Sequence, residues 1–126
     1  MLSYAFDLST FDLFAASRVG AAVWIIRKEQ QHDVSALLKG IEQYQVTIWY
    51  SVPTVLSMLV ASGELTSQYT DLLRHVIFAG EPYPMGALRH LCECLSSHCQ
   101  LSNWYGPTGN QCLFCVSFSS CQPRVK

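Results

Sequence analysis

The chain has 126 residues, 50% of them hydrophobic, and a formal net charge of −1 with a mean hydropathy of +0.20. This length predicts one domain with a hydrophobic core. A net charge so close to zero gives no electrostatic case for a nucleic acid or an anionic membrane as partner. No run reaches the roughly 18 apolar residues of a membrane span, and no basic segment precedes an apolar run at the N-terminus. We therefore expect a cytoplasmic protein without a signal peptide.

Apolar periodicity and turn residues predict that helices and strands alternate along the chain. Short β-branched apolar runs are typical of buried parallel strands, and apolar residues three and four apart are typical of helices. In chain order the sequence predicts a helix from Thr10 to about Ser17 that ends at Gly20, a strand at Ala22–Ile26, a loop at Arg27–His32 and a helix capped by Asp33. A strand at Val46–Tyr50, a helix from Pro53 to about Ala61 and a loop after Gly63 follow. The last predicted elements are a strand at His75–Phe78, a helix from Pro84, a short strand at Leu101–Ser102 and a candidate strand at Leu113–Phe118.

This alternation predicts the α/β class, with a mostly parallel sheet and helices packed on it. Ligands of such sheets collect at the carboxyl ends of the strands. Three predicted loops lie at such ends, at Ser51–Pro53, Ala79–Glu81 and Asn103–Thr108. Their convergence predicts a ligand site without identifying the ligand.

The cysteines lie in the last third of the chain. The Cys112-x-x-Cys115 spacing occurs in zinc and redox sites. Cys92 and Cys94 on a helix would point to different faces, which is poor geometry for a shared metal ion. We favour reduced thiols, and a zinc-binding module between Cys92 and Cys115 is the alternative. The six residues are Cys92, Cys94, Cys99, Cys112, Cys115 and Cys121.

Four blocks carry a resemblance to a known family. They are Ser-Tyr-Ala-Phe-Asp-Leu-Ser at Ser3–Ser9, the segment Val46–Thr54, the strand and turn Arg74–Pro82, and Asn-Trp-Tyr-Gly-Pro-Thr at Asn103–Thr108. In this order they resemble the adenylate-forming (AMP-binding) enzymes, above all the amino-acid adenylation domains of nonribosomal peptide synthetases and their stand-alone relatives. The resemblance implies part of the large N-terminal domain of such an enzyme. It predicts a partial AMP-binding domain over residues 1–113 and a divergent, disordered tail over residues 114–126.

The resemblance also implies a reaction. An intact parent enzyme would join an amino-acid carboxylate to the AMP moiety of ATP with Mg²⁺, release pyrophosphate, and pass the aminoacyl group to a carrier-protein thiol. The implied partners are therefore an amino acid, ATP and a carrier-protein domain, with no nucleic acid and no membrane.

Substrate-binding roles follow from the same resemblance. Asp7 would pair with the α-ammonium group of the substrate through a charge-assisted hydrogen bond; its alternative role is to cap the helix near Thr10. The other predicted substrate residues, named at the end of this paragraph, would form a bulky, uncharged wall around the substrate side chain. Such a wall indicates a small or apolar amino acid of about proline or alanine size. The alternative is that most of them are core residues. The predicted set is Asp7, Leu8, Phe11, Tyr50, Ile77, Ala79 and Trp104, with Cys112 and Leu113 completing the wall.

Nucleotide-binding roles fall on two loops. The aromatic ring of Tyr105 would stack on adenine, and Asn103 would hydrogen-bond the adenine amino group. The turn after the His75 strand would cover the other face of the base, where Gly80 allows a close backbone approach. The Thr108 hydroxyl would contact phosphate. The predicted set is Gly80, Glu81, Asn103, Tyr105, Gly106 and Thr108.

The sequence departs from the family directly after this motif. Gly109 stands where the family has a glutamate that holds Mg²⁺, and a hydrogen atom cannot coordinate a metal ion. The family's phosphate loop and C-terminal lysine have no counterpart in these 126 residues. We therefore expect a fragment that is inactive alone and has no catalytic or metal-binding residue. The alternative is a non-catalytic remnant that binds a nucleotide or another protein.

Overall fold

The computed structural model describes the backbone of residues 9–105 and 114–118 and the side chains of residues 13–104. Helices and strands alternate through this part of the chain. In order they are α1 (Ser9–Val19), a 3₁₀ helix (Lys28–Gln30), α2 (Val34–Gln43), β1 (Ile48–Ser51), α3 (Pro53–Ala61), α4 (Ser67–Thr70), β2 (His75–Ala79), α5 (Met85–Cys94), β3 (Gln100–Tyr105) and β4 (Phe114–Phe118).

The strands form one sheet in the order β1-β2-β3-β4. β1, β2 and β3 are parallel neighbours, and β4 pairs antiparallel with β3. The predicted α/β class and the mostly parallel sheet are therefore confirmed. Helices between the parallel strands make the crossovers that such pairing requires. None of the described helices is long and apolar enough to cross a membrane.

The hydrophobic core lies between one face of the sheet and the helices. The strands contribute every second side chain to it, as the pleat requires, and α2, α3 and α5 contribute buried leucine and isoleucine side chains. Its members include Trp49, Val76, Phe78 and Leu101 from the strands and Leu37, Leu38, Ile41, Leu56, Leu59, Leu88 and Leu91 from the helices.

Local signals fix several helix ends as the sequence predicts. The Asp33 carboxylate accepts a hydrogen bond from the backbone N–H of Ala36 at 3.0 Å, which caps α2. Pro53 occupies the first position of α3, where its missing N–H costs nothing. Gly20 ends α1 with a φ of 67°, a value that favours glycine.

The strand predicted at Ala22–Ile26 is wrong, because this segment forms no strand. The Trp24 indole lies against Gly40 of α2, with its ring centroid 5.3 Å from that of Tyr44 and 6.3 Å from that of Trp49. Ile26 is buried, whereas Val23 and Ile25 are 41% and 55% exposed. The segment is thus held by the packing of Trp24 and Ile26, without strand pairing. Its apolar composition is also typical of a buried strand, which explains the wrong prediction.

Other elements differ from the prediction mainly in their bounds. β1 begins at Ile48 rather than Val46, and α5 follows Pro84, which is its N-cap residue. The loop predicted after Gly63 contains α4, and the loop predicted at Arg27–His32 contains the 3₁₀ helix. The candidate strand at Leu113–Phe118 is confirmed as β4, one residue shorter.

Candidate functional site

The carboxyl ends of the three parallel strands lie side by side. β1 ends at Ser51, β2 at Ala79 and β3 at Tyr105. The register pairs Ser51 with Phe78, Phe78 with Asn103, and Ala79 with Trp104. The convergence predicted from the sequence is therefore confirmed. One detail was wrong, since Asn103–Tyr105 belong to β3 and not to a loop.

Four of the predicted substrate residues share one face of the sheet. Tyr50 pairs with Ile77 in the register, Ala79 pairs with Trp104, and Ile77 and Ala79 are two residues apart on β2. Paired residues of neighbouring strands project to the same side, and so do residues two apart. The Tyr50 and Trp104 ring centroids are 6.0 Å apart and tilted by 45°. The structure thus assembles an uncharged aromatic and aliphatic wall.

This wall lies on the face of the sheet opposite the helices. Trp49 and Ser51, which flank Tyr50, point the other way, and the Trp49 indole N–H donates to the Ser51 hydroxyl at 2.9 Å. Ile77 and Ala79 are buried, at 2% and 1% exposure, and Tyr50 and Trp104 are half-buried. The wall and the helix-side core thus lie on opposite faces of the sheet, and the burial of Ile77 and Ala79 agrees with the alternative that these two are core residues.

The predicted nucleotide residues are distributed differently. Asn103 pairs with Phe78 and alternates with Trp104, so it lies on the helix side of the sheet. Gly80 follows β2 directly with a φ of 90°, a backbone conformation that favours glycine. The pleat of β3 thus places Asn103 and Trp104 on opposite faces of the sheet.

Glu81 has a partner in the structure. Its Oε2 atom accepts hydrogen bonds from the Thr54 backbone N–H at 3.2 Å and from the Thr54 hydroxyl at 2.5 Å. Thr54 is the second residue of α3, so Glu81 links the turn after β2 to the helix after β1. Sequence reasoning did not identify Thr54, because no local pattern signals a pair 27 residues apart.

A second polar pair, Ser102 and His75, lies on the same face of the sheet as the wall. Ser102 is fully buried on the same face, as the register partner of Ile77, and its hydroxyl is 2.8 Å from Nε2 of His75. The pairing satisfies a buried hydroxyl that would otherwise be costly. No sequence pattern predicted a role for Ser102 either.

The remaining predicted residues lie outside the described side chains. Phe11 is within α1 and Tyr105 ends β3, but only their backbones are described. Asp7, Leu8, Gly106, Thr108, Gly109, Cys112 and Leu113 lie outside the described residues altogether. Their roles stay predictions, as does the domain boundary at residue 114. Residues Phe114–Phe118 of the tail predicted to be disordered nevertheless form β4.

The described thiols do not form a metal centre. No group of three or more His, Cys, Asp or Glu residues that could hold a metal ion occurs within the described part of the chain. Burial raises the pKa of the Cys99 thiol to about 11, opposed by a hydrogen bond to the Val76 backbone. Burial, and next the Glu93 carboxylate, raise the pKa of the Cys94 thiol. Both shifts favour the protonated thiol, whereas the thiolate is the form that binds a metal ion.

Comparison with known proteins identifies similar chains. A model of the AMP-binding enzyme family matches residues 1–126. An L-proline--[L-prolyl-carrier protein] ligase of Streptomyces coelicolor is 51% identical over 106 residues, covering 84% of this chain and 20% of the relative. A ligase of the same name from Pseudomonas fluorescens is 41% identical over 103 residues, covering 82% and 20%. This chain thus spans about a fifth of the length of these curated relatives.

A solved structure has the same fold and carries a ligand. It is the crystal structure of the Vibrio cholerae adenylation domain AlmE in complex with glycyl-adenosine-5′-phosphate. Its TM-score is 0.69 at 26% sequence identity, and the match covers 82% of this chain and 19% of that chain.

Proposed function

The chain belongs to the AMP-binding enzyme family, and we propose that it supplies two parts of an amino-acid-activating adenylation domain. One is the wall of Tyr50, Ile77, Ala79 and Trp104 for the amino acid, and the other is an adenine platform formed by the Gly80 turn and the end of β3. Its sheet and helices are part of the large N-terminal domain of an adenylate-forming enzyme. In a cytoplasmic parent enzyme, the amino-acid carboxylate would attack the α-phosphorus of ATP and pyrophosphate would leave. The aminoacyl group would then pass to a carrier-protein thiol.

The observation that carries this proposal is the placement of Tyr50, Ile77, Ala79 and Trp104. All four lie on one face of the sheet, at or near the carboxyl ends of their strands. Asn103, on the same strand end, projects to the other face. An aminoacyl adenylate has an amino-acid end and a purine end. The end of β3 presents Trp104 on one face of the sheet for the amino-acid end and Asn103 on the other face for the purine end.

We propose L-proline as the amino acid. The two ligases that resemble the chain are named for L-proline, and the described wall carries no charge. On this face the Tyr50 and Trp104 ring centroids are 6.0 Å apart, and Ile77 and Ala79 are buried. A small apolar side chain suits such a wall, because a charged one would lose its hydration without a partner. The Asp7 carboxylate would pair with the secondary ammonium group of L-proline.

The nucleotide would lie against the turn at Gly80 and the ring of Tyr105, with the Thr108 hydroxyl on phosphate. Mg²⁺ in the parent reaction would neutralise charge on the transferring phosphate, which is worth several kcal/mol. Gly109 offers no carboxylate for this ion. We therefore propose that the chain binds an aminoacyl adenylate but does not form one by itself.

Selectivity for the amino acid tests the proposal. The 126-residue chain would be titrated calorimetrically with non-hydrolysable L-prolyl and L-phenylalanyl adenylate analogues. Trp104→Ala removes one side of the ring pair, so the preference for the prolyl analogue should fall by about tenfold, the effect of one or two methylene-sized contacts. Ile48→Ala is the matched control, because Ile48 lies on the same face at the opposite end of β1 and is 56% exposed.

Two results would contradict the proposal. One is a wild-type chain that binds neither analogue although it unfolds cooperatively. The other is a Trp104→Ala chain whose preference between the two analogues equals that of the Ile48→Ala control.

A further inference from the structure

The turn between β2 and α5 is held against α3. It begins at Gly80, whose φ of 90° favours glycine, and it reaches α5 through Pro84. A polar and an aromatic side chain of this turn both reach α3. They are Glu81 and Tyr83.

The Glu81 carboxylate caps α3 from a distance in sequence. The first N–H groups of a helix have no partner within the helix, and Val52, the N-cap residue of α3, provides no side-chain hydrogen bond. Oε2 of Glu81 instead accepts from the N–H and the hydroxyl of Thr54, at 3.2 and 2.5 Å.

Tyr83 provides the second attachment. Its ring meets Phe78 edge to face, with centroids 5.1 Å apart at 83°. Burial raises the pKa of the Tyr83 hydroxyl, and the nearby Ser57 side chain of α3 opposes this rise, although the hydroxyl makes no hydrogen bond of regular geometry. Thr54 and Ser57 are three residues apart, so Glu81 and Tyr83 approach the same side of α3.

We propose that Glu81 is a positioning residue, which fixes the Gly80 turn by capping α3 and does not itself contact the nucleotide. This inference rests on the proposed function, in which the turn supports adenine. Two hydrogen bonds already engage Oε2 of the carboxylate, and a carboxylate would repel the phosphates of a nucleotide. The contribution of Glu81 to binding therefore passes through the backbone of Gly80.

The test is the affinity of the 126-residue chain for AMP in a set of variants. Glu81→Ala should weaken AMP binding about threefold to tenfold, the range for losing hydrogen bonds to an exposed charged group. Glu81→Gln should stay within about twofold of wild type, because its amide oxygen can accept the same bonds. Thr54→Val removes the hydroxyl bond and keeps the backbone N–H bond, so it should weaken AMP binding no more than Glu81→Ala does, and the double variant should be no weaker than Glu81→Ala.

Glu64→Ala is the matched control, since Glu64 is an exposed carboxylate after the other end of α3. A second measurement follows the contact itself: hydrogen exchange of the Thr54 amide should accelerate in Glu81→Ala and not in Glu64→Ala. This readout reports on the cap even where global stability changes.

Several results would overturn the inference. They are unchanged AMP affinity in Glu81→Ala, additive effects in the double variant, or a Glu81→Gln chain as weak as Glu81→Ala, which would indicate that the charge acts directly. A folded wild-type chain that does not bind AMP would remove the proposed function as well. That outcome is distinct, because the other three occur in a chain that binds AMP.

Discussion

Gly40→Ala should destabilise the protein, although alanine is the better helix former. Replacing glycine by alanine inside a helix normally contributes about 1 kcal/mol of stability. At Gly40, however, a Cβ atom would overlap the six-membered ring of Trp24. Overpacking of this kind costs about 1–3 kcal/mol. The net change should therefore be a loss of about 0–2 kcal/mol.

Gly86→Ala is the matched control for this prediction. Gly86 is in α5, and a Cβ atom there would have no atom within 4 Å. This variant should gain up to about 1 kcal/mol, so the two alanine variants should differ by about 1–3 kcal/mol. Urea unfolding followed by circular dichroism would measure the difference as a shift in midpoint.

The cause can be isolated with a third variant. In a Trp24→Ala background the overlap is absent, so Gly40→Ala should now increase stability as Gly86→Ala does. The reasoning is refuted if Gly40→Ala in the wild-type background is as stable as Gly86→Ala, because the indole would then not lie against α2.

Two further predictions concern single side chains. Asp33→Ala should cost about 1 kcal/mol by removing the α2 cap, and Asp33→Asn should retain most of it; an unchanged urea midpoint for Asp33→Ala would contradict the cap. Because the folded-state pKa of Cys99 is raised from its ordinary value of 9.0 to about 11, its contribution to stability is present below pH 9 and is lost as the pH rises toward 11. The urea midpoint should therefore fall more between pH 8 and pH 10 in the wild-type protein than in Cys99→Ser. An equal fall in both proteins would exclude this thiol as the cause.

Features that depend on neighbouring residues could be predicted from the sequence. The Asp33 cap, the start of α3 at Pro53 and the apolar strand at His75 follow from local chemistry and periodicity. The shared face of Tyr50 and Trp104 could not be predicted in this way, because it depends on the register between the strands, which the structure supplies. Only the family resemblance, however, connected these residues to an amino acid.

Features that depend on distant contacts could not be predicted. The segment with Trp24 has the composition of a strand, but a contact with Gly40 determines its conformation. Glu81 and Thr54 are both exposed polar residues 27 positions apart, and no periodicity links them. The sequence showed that a turn follows β2, but not that α3 holds it.

The most direct test of the proposed site is thermal unfolding of the 126-residue chain with and without a non-hydrolysable L-prolyl adenylate analogue. A ligand at about 100 times its dissociation constant adds about 2.7 kcal/mol to the stability of the folded state. The proposed function predicts one cooperative transition that moves to higher temperature with the L-prolyl analogue. A cooperative transition at the same temperature with saturating analogue would contradict it, because the wall and the adenine platform would then not form a binding site in this chain.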